Sequence, residues 1–323
     1  MRRTDLSAAA ARLHAAGAVR ILTHNHPDGD TLGSAYALAH ALRALGKDVR
    51  VQCEDPIPAM FAYMTEGLVE TEREDALIVS VDVAEESLLG DAFAKIYGGK
   101  IGLSIDHHPT NGLYAAENLI DAGACACAEV VGGLLDAMGV TMTAHIAACI
   151  YAGISTDTGC FRYANTTAGG HRWAARCMDL GVDTEPLDRV FFETDTKTYL
   201  ALERMAFDGL RYYCGGRLAL AAVTQAMFRQ SGSNEDEYIK IVARTRQIEG
   251  VLVGVAIREK PDGSFKISLR THAPVDAAAI AARMGGGGHP TAAGAASKLP
   301  LEETIAMVVG YVEEALGTMT MNN

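Results

Sequence analysis

The chain has 323 residues, 49% of them hydrophobic and 21% charged, which is an ordinary globular composition with material for two cores. Its net charge is −12, with 14 basic and 25 acidic residues in 1–190 against 14 and 15 in 191–323. That balance argues against a surface that grips long DNA or RNA, but not against one small anionic substrate held with the help of cations.

Arg2 and Arg3 precede no apolar h-region, so no signal peptide is expected. The longest apolar stretch, Ile146–Ile154, is far short of a membrane span. Seven scattered cysteines read as reduced thiols of a cytoplasmic protein, and Cys125 and Cys127 as small buried residues. Ala18–Thr23 is a short apolar run followed by a polar cluster. Thr31–Gly46 then carries Leu32, Ala35, Tyr36, Ala39, Leu42 and Leu45 at helical spacing, and Val49–Cys53 starts a second strand. Ala76–Val81 and Lys100–Ile105 are further continuous apolar strands, each ending at an Asp. Such strands between helices predict a parallel sheet covered on both faces. Helices are expected at Ala126–Met138, Ala144–Ile154 and Thr167–Leu180, and over residues 184–209.

The second half changes character. Arg217–Val223 and Val251–Ile257 are predicted strands. Pro261-Asp262-Gly263 turns Val251–Ile257 into Ser264–Arg270 as a hairpin. Helices are predicted at 235–247, 275–283 and 301–316. The expected architecture is α/β: a parallel-sheet domain over 1–190, a helical connector over 191–209, and a smaller α/β domain with a mixed sheet over 210–323.

In open α/β sheets, function gathers at the carboxyl ends of the strands. Here those ends deliver His24-Asn25-His26-Pro27-Asp28-Gly29-Asp30, then Asp82, then Asp106-His107-His108-Pro109. The helix near residue 150 runs into Asp157. Singly, each Asp is more economically a helix cap or turn residue, and His26 is a spare polar loop residue. Jointly, His and Asp from four distant segments point to a divalent-metal site suited to manganese or a similar ion. Clustered carboxylates repel unless cations screen them, and two ions ~3.5–4 Å apart can share a carboxylate and a hydroxide. In the second half, Met284-Gly285-Gly286-Gly287-Gly288-His289 places bare backbone N–H groups beside a His donor. That suits a close approach to an anion better than a linker. Arg270, ending a hairpin strand, fits a phosphate or base partner and a solvated surface Arg equally well.

Taken together these motifs resemble the DHH phosphoesterase family. His24 to Ser34 (HNHPDGDTLGS), Asp82 in SVDVA, Asp106-His107-His108, and Asp157 in GISTDTGCFRYANTT match its ordered motifs. Gly285–His289 resembles the DHH-associated C-terminal domain, and the length suits the NrnA-type nanoRNase/pAp phosphatase branch rather than the longer RecJ exonucleases. The glycine run also separates the chain from type II pyrophosphatases. The resemblance implies two Mn²⁺ ions. His24, Asp28 and Asp82 would hold one; Asp30, Asp82, His107 and Asp157 would hold the other. It further implies that His108 faces the scissile phosphate while Asp106 orients the DHH segment. Arg270, Gly286, Gly287, Gly288 and His289 would grip substrate, with Arg162 and Asn165 as weaker contacts. Ser155 stands where many relatives carry a basic residue.

The implied activity is Mn-dependent hydrolysis of short oligoribonucleotides, linear dinucleotides and pAp, by a metal-bridged hydroxide. Competing readings are a cyclic-di-AMP phosphodiesterase and a non-catalytic nucleotide sensor. No long nucleic acid or membrane is expected as a partner, and the family often forms homodimers. Five of the acidic charges in the first half belong to Asp28, Asp30, Asp82, Asp106 and Asp157.

Overall fold

The computed structural model describes residues 2–71, 73–234 and 237–320, with side chains to 317. The chain forms two compact units, Met1–Thr194 and Asp195–Asn323.

The first unit is built on a six-stranded parallel sheet. β1 (Arg2–Arg3) leads into α1 (Leu6–Ala15), capped by Asp5. β2 (Ala18–Leu22), α2 (Gly29–Ala44) and β3 (Asp48–Gln52) make the first βαβ unit. β4 (Leu77–Val81), α3 (Asp91–Tyr97), β5 (Leu103–Asp106) and β6 (Glu117–Ile120) complete the sheet, in the order β1-β6-β5-β4-β2-β3. α4 (Cys127–Ala137), α5 (Ala144–Asp157), α6 (Ala168–Asp179) and α7 (Thr184–Asp188) follow. Burial explains the sequence patterns. Central β5 is buried at every position, its apolar Leu103 and Ile105 alternating with buried Ser104 and Asp106. Edge strand β3 alternates between buried and half-buried residues.

Register positions the chemistry. Leu22 pairs with Ser80, and Val81 pairs with Ile105. The segments beginning at His24, Asp82 and Asp106 therefore leave the sheet at one edge. The chain moves from β2 to β3 on one side and to β4 on the other, so His24 and Asp82 flank the switch point, where such sheets carry their ligands. α2 and α5 pack closely behind. A methyl group at Gly33 would lie 2.4 Å from the Cys149 carbonyl oxygen, and one at Gly153 would lie 2.8 Å from Asp30 Oδ1. Only glycine permits this approach.

The expected helix over 184–209 is interrupted. A π-helical turn spans Arg189–Glu193, and α8 (Lys197–Asp208) starts anew, with Thr196 accepting a hydrogen bond from the Tyr199 N–H. In the second unit, β7 (Arg211–Tyr213), β8 (Leu218–Val223), α9 (Gln225–Ser231), α10 (Tyr238–Arg246), β9 (Val253–Glu259) and β10 (Phe265–Thr271) follow α8. Residues 235 and 236 of the predicted 235–247 helix lie outside the described residues. α11 (Ala277–Ala282), β11 (Gly287–His289), β12 (Ala292–Ser297) and α12 (Leu301–Thr320) end the chain.

This sheet is mixed, ordered β11-β12-β10-β9-β8-β7, with β8 and β9 parallel and β9 and β10 the expected hairpin. Alternation divides its side chains. Leu218, Leu220, Val253, Val255 and Ile257 pack with α11 and α12, while Ala221, Val223 and Ala256 face α8, α9 and α10. Among the described residues no helix is long and apolar enough to cross a membrane. All seven cysteines are free thiols.

Candidate metal centre

Three overlapping groups of ligand atoms, each within 4.8 Å of one another, lie at the switch-point edge: His24, Asp28 and Asp82; Asp82, His107 and His108; Asp30, His107 and Asp157. Asp82 is common to two of them. It is buried, and its φ of +59° places it in the left-handed region that Asp and Asn tolerate better than most residues. His24 Nε2 lies 3.7 Å from Asp82 Oδ2, while His107 Nε2 and His108 Nδ1 lie 3.7 and 3.6 Å from Oδ1. Oδ1 is buried and accepts no hydrogen bond. Burial, compounded by Asp30, Asp28, Asp106 and Asp157, pushes the Asp82 carboxyl well above its usual range. Asp157 is pushed up to about 8, chiefly by burial and then by Asp30 and Asp28. Such a set of buried acids is stabilised by a proton or a cation.

The remaining aspartates combine capping with clustering. Asp28 is the N-cap of α2, accepting from the Asp30 and Thr31 N–H groups at 3.0 and 3.1 Å, and it lies 3.6 Å from His24 Nε2. Asp30 caps a different helix. Its Oδ2 accepts from the Cys127 N–H at 2.6 Å and its Oδ1 from the Ala128 N–H at 2.9 Å, where Ala126 has no side-chain cap to offer α4. The same Oδ2 is 3.8 Å from His107 Nε2, which is also 3.8 Å from Asp157 Oδ2. Both roles coexist because a carboxylate has more lone pairs than one helix terminus uses.

Asp106 is different: its acceptor capacity is already used. Oδ1 accepts from the His107 and His108 N–H groups and from His108 Nδ1 at 2.7 Å, and Oδ2 accepts from Asn111 at 2.7 Å. Burial works against its charge, but the hydrogen bonds from His108 and Asn111 outweigh it and hold the carboxyl below its usual range. Burial likewise opposes a charged His108, yet Asp106 raises its basicity overall. The His24 Nδ1–H donates to the Asn25 carbonyl, and the His107 Nδ1–H to that of Ala124, which turns both Nε2 atoms toward the acids. The donor set is hard-to-borderline oxygen and imidazole nitrogen, with an orphaned buried carboxylate oxygen at its centre. These residues fit divalent metal ions.

Of the other expected site residues, Asn165 and Arg162 belong to the first unit, and Arg270 and Gly286 to His289 to the second. Asn165 donates to Asp157 Oδ2 at 3.0 Å and to the Cys125 carbonyl at 2.9 Å, so its amide orients a cluster member. Arg162 is exposed; its Nε donates to the Gly159 carbonyl and its guanidinium lies over Phe192. Arg270 sits on β10 of the second unit, donating to the Leu269 carbonyl. Gly287, Gly288 and His289 form edge strand β11 and Gly286 precedes it. The close approach at Gly286 and Gly288 is to β12 of the same sheet, where a methyl would meet Gly294 and Ala292 carbonyl oxygens. Asn111, which donates to Asp106, and Glu129, whose Oε2 accepts from the Cys125 N–H, lie outside the sequence motifs. The Asn five residues after Asp106 was the available signal for the first. A cleft of about 730 Å³ over β3, lined by Tyr36, Arg50, Cys53, Asp55 and Glu70, contains none of the clustered acids.

The sequence matches the family described as DHH family, N-terminal domain, over residues 18–154, and the DHHA1 domain over residues 215–317. It is 35% identical over 308 residues to the bifunctional oligoribonuclease and PAP phosphatase NrnA of Thermus thermophilus, covering 93% of this chain and 90% of the relative. It is 26% identical over 282 residues to the Bacillus subtilis protein of the same description, covering 85% and 88%. An exopolyphosphatase-related protein from Bacteroides fragilis has the same fold, with a TM-score of 0.87 at 23% identity, covering 97% of this chain and 96% of that one.

Proposed function

Because the chain belongs to the DHH family and carries the DHHA1 domain, we propose that it is a divalent-metal-dependent phosphohydrolase of short oligoribonucleotides, linear dinucleotides and pAp. The observation that carries this reading is Asp82. It is a buried carboxylate with one oxygen lacking a hydrogen bond, ringed by three imidazoles and further acids, in a chain 35% identical to a named oligoribonuclease and PAP phosphatase.

We assign one ion to His24, Asp28 and Asp82, and the other to Asp30, Asp82, His107 and Asp157, with Mn²⁺ favoured by the mixed nitrogen and oxygen donors. Bound ions would supply an activated water at neutral pH and charge neutralisation at phosphorus. His108, held through Nδ1 by Asp106 and raised in basicity, donates a proton or hydrogen bond to a phosphate oxygen. The first unit is the metal-binding catalytic domain. In the second, Arg270, Gly286, Gly287, Gly288 and His289 recognise phosphate or base. The reaction uses small phosphate esters as its partners, which suits a strongly acidic first unit with the ions as its cations.

The test is turnover by the full chain with Mn²⁺ of a labelled linear dinucleotide, of pAp and of cyclic-di-AMP, with products resolved. Hydrolysis of the first two ahead of the cyclic ester is expected. Metal binding without turnover of any of them would overturn the assignment and leave a nucleotide-binding sensor. Faster turnover of the cyclic ester would make this a cyclic-dinucleotide phosphodiesterase.

A further inference from the structure

The two ligand groups are held by different devices. His24 and Asp28 are oriented locally: His24 by the carbonyl of its neighbour Asn25, and Asp28 by the first N–H groups of its own helix. Asp30, His107 and Asp157 come from three distant segments, and all three are tied to one short stretch of backbone, residues 124–128. The Ala124 carbonyl accepts from His107 Nδ1 at 3.3 Å. The Cys125 carbonyl accepts from Asn165 Nδ2 at 2.9 Å, and the same nitrogen donates to Asp157 Oδ2 at 3.0 Å. The Cys127 and Ala128 N–H groups donate to Asp30. The stretch is itself pinned, since Glu129 Oε2 accepts from the Cys125 N–H at 2.9 Å.

Each contact constrains a ligand. A His whose Nδ1–H is fixed on a carbonyl presents Nε2 to a metal. An Asp157 whose Oδ2 is held by an amide cannot swing freely. Asp30, bidentate on two adjacent N–H groups, is fixed in plane and tilt. A carboxylate at a helix N-terminus is also held by the helix dipole.

We propose that residues 124–128 are the positioning element for one of the two ions, the one assigned to Asp30, His107 and Asp157, and that Glu129 and Asn165 are its positioning residues. Neither touches the cluster as a ligand. Glu129 holds the turn, and Asn165 couples the turn to Asp157. The proposal rests on the two-ion reading above. Its consequence is an asymmetry: damage to the turn weakens one ion and spares its neighbour, because His24 and Asp28 make no hydrogen bond to it.

The experiment is an equilibrium Mn²⁺ titration of the full chain, with free Mn²⁺ read by electron paramagnetic resonance. It compares wild type with Asn165→Ala, Glu129→Ala and Glu129→Gln, each checked by circular dichroism. Wild type should take up two ions. Asn165→Ala and Glu129→Ala should each keep one ion at wild-type affinity and bind the other about 10–100-fold more weakly. Glu129→Gln should restore most of that loss, because an amide oxygen still accepts from the Cys125 N–H. In His24→Ala, where only the 124–128-linked ion remains strong, adding Asn165→Ala should weaken that remaining ion.

Equal weakening of both ions, or two wild-type affinities in folded Asn165→Ala and Glu129→Ala, would overturn the positioning role while leaving the two-ion reading intact. Wild-type protein that takes up no Mn²⁺ would overturn both.

Discussion

On the proposed two-ion reading, Asp82→Asn separates what the buried carboxylate does for the fold from what it would do for the ions. In the metal-free protein, Asp82 is surrounded by other acids and has a buried oxygen without a hydrogen bond. Leaving such a group unsatisfied costs about 1–3 kcal/mol. Asn keeps the shape, cannot ionise, and can turn an amide N–H donor toward the surrounding carboxylates. It also suits the φ of +59° at this position, where Ala would add backbone strain. The metal-free variant should therefore be more stable than wild type by about 1–3 kcal/mol, roughly 2–4 °C in Tm for each kcal/mol in a unit of this size. Loaded with Mn²⁺ at 100 times its Kd, wild type should gain about 2.7 kcal/mol for each ion it binds. The variant, lacking the carboxylate shared by both ligand sets, should gain little. The order of stabilities thus reverses between chelator and Mn²⁺. Denaturant unfolding of both proteins in EDTA and in Mn²⁺ measures it. A variant less stable than wild type in EDTA, or one that gains as much from Mn²⁺, would refute the reasoning.

Asp157 sets a pH dependence. Its folded carboxyl titrates at about 8 against an ordinary 3.8, so between those values the folded state holds a proton that the unfolded state has lost. The metal-free protein should lose stability as pH rises from about 4 to 8, the Asp157 contribution being fully present below about 4 and lost by about 8. Mn²⁺ binding near pH 7 should release protons; calorimetry in two buffers of different ionisation heat reads this, and identical heats would contradict it. Asp106→Asn cannot offer both its acceptor oxygens to His108 and Asn111, so turnover should fall about 10–100-fold with the fold retained; unchanged steady-state rates would remove Asp106 from the mechanism. Gly33→Ala puts a methyl 2.4 Å from the Cys149 carbonyl oxygen and forces α2 from α5, costing about 1–3 kcal/mol in chemical denaturation. A neutral substitution there would show that the helices can part freely.

The sequence alone determined the elements that announce themselves through buried periodicity. β2 and β4 are largely apolar because both faces are covered, β5 continues the apolar run that precedes it, and α2, α4, α5 and α6 carry apolar residues at helical spacing. It did not reveal α1, whose buried stripe is only Ala9, Ala10 and Leu13, nor the four-residue strand β6. A short element without large apolar residues leaves too weak a pattern to be legible. Nor did it show the break at Thr194–Thr196 within the expected helix over 184–209. The glycine run at 285–288 was read as a close backbone approach to an anion, and the tertiary structure adds a close approach of β12 at Gly286 and Gly288.

The acids and imidazoles of the candidate centre were legible one by one, because polar residues directly after apolar strands can only be at a sheet edge. What each one touches was not. Asp30 caps a helix that begins 97 residues later, and Asn165 reaches back to Asp157 and across to Cys125. Hydrogen bonds between distant segments depend on register and helix packing, which the order of residues along the chain does not contain. The excess acid of the first 190 residues was visible from composition. That five of those charges surround a few buried atoms, so that the site favours protons or cations, only the folded chain decided.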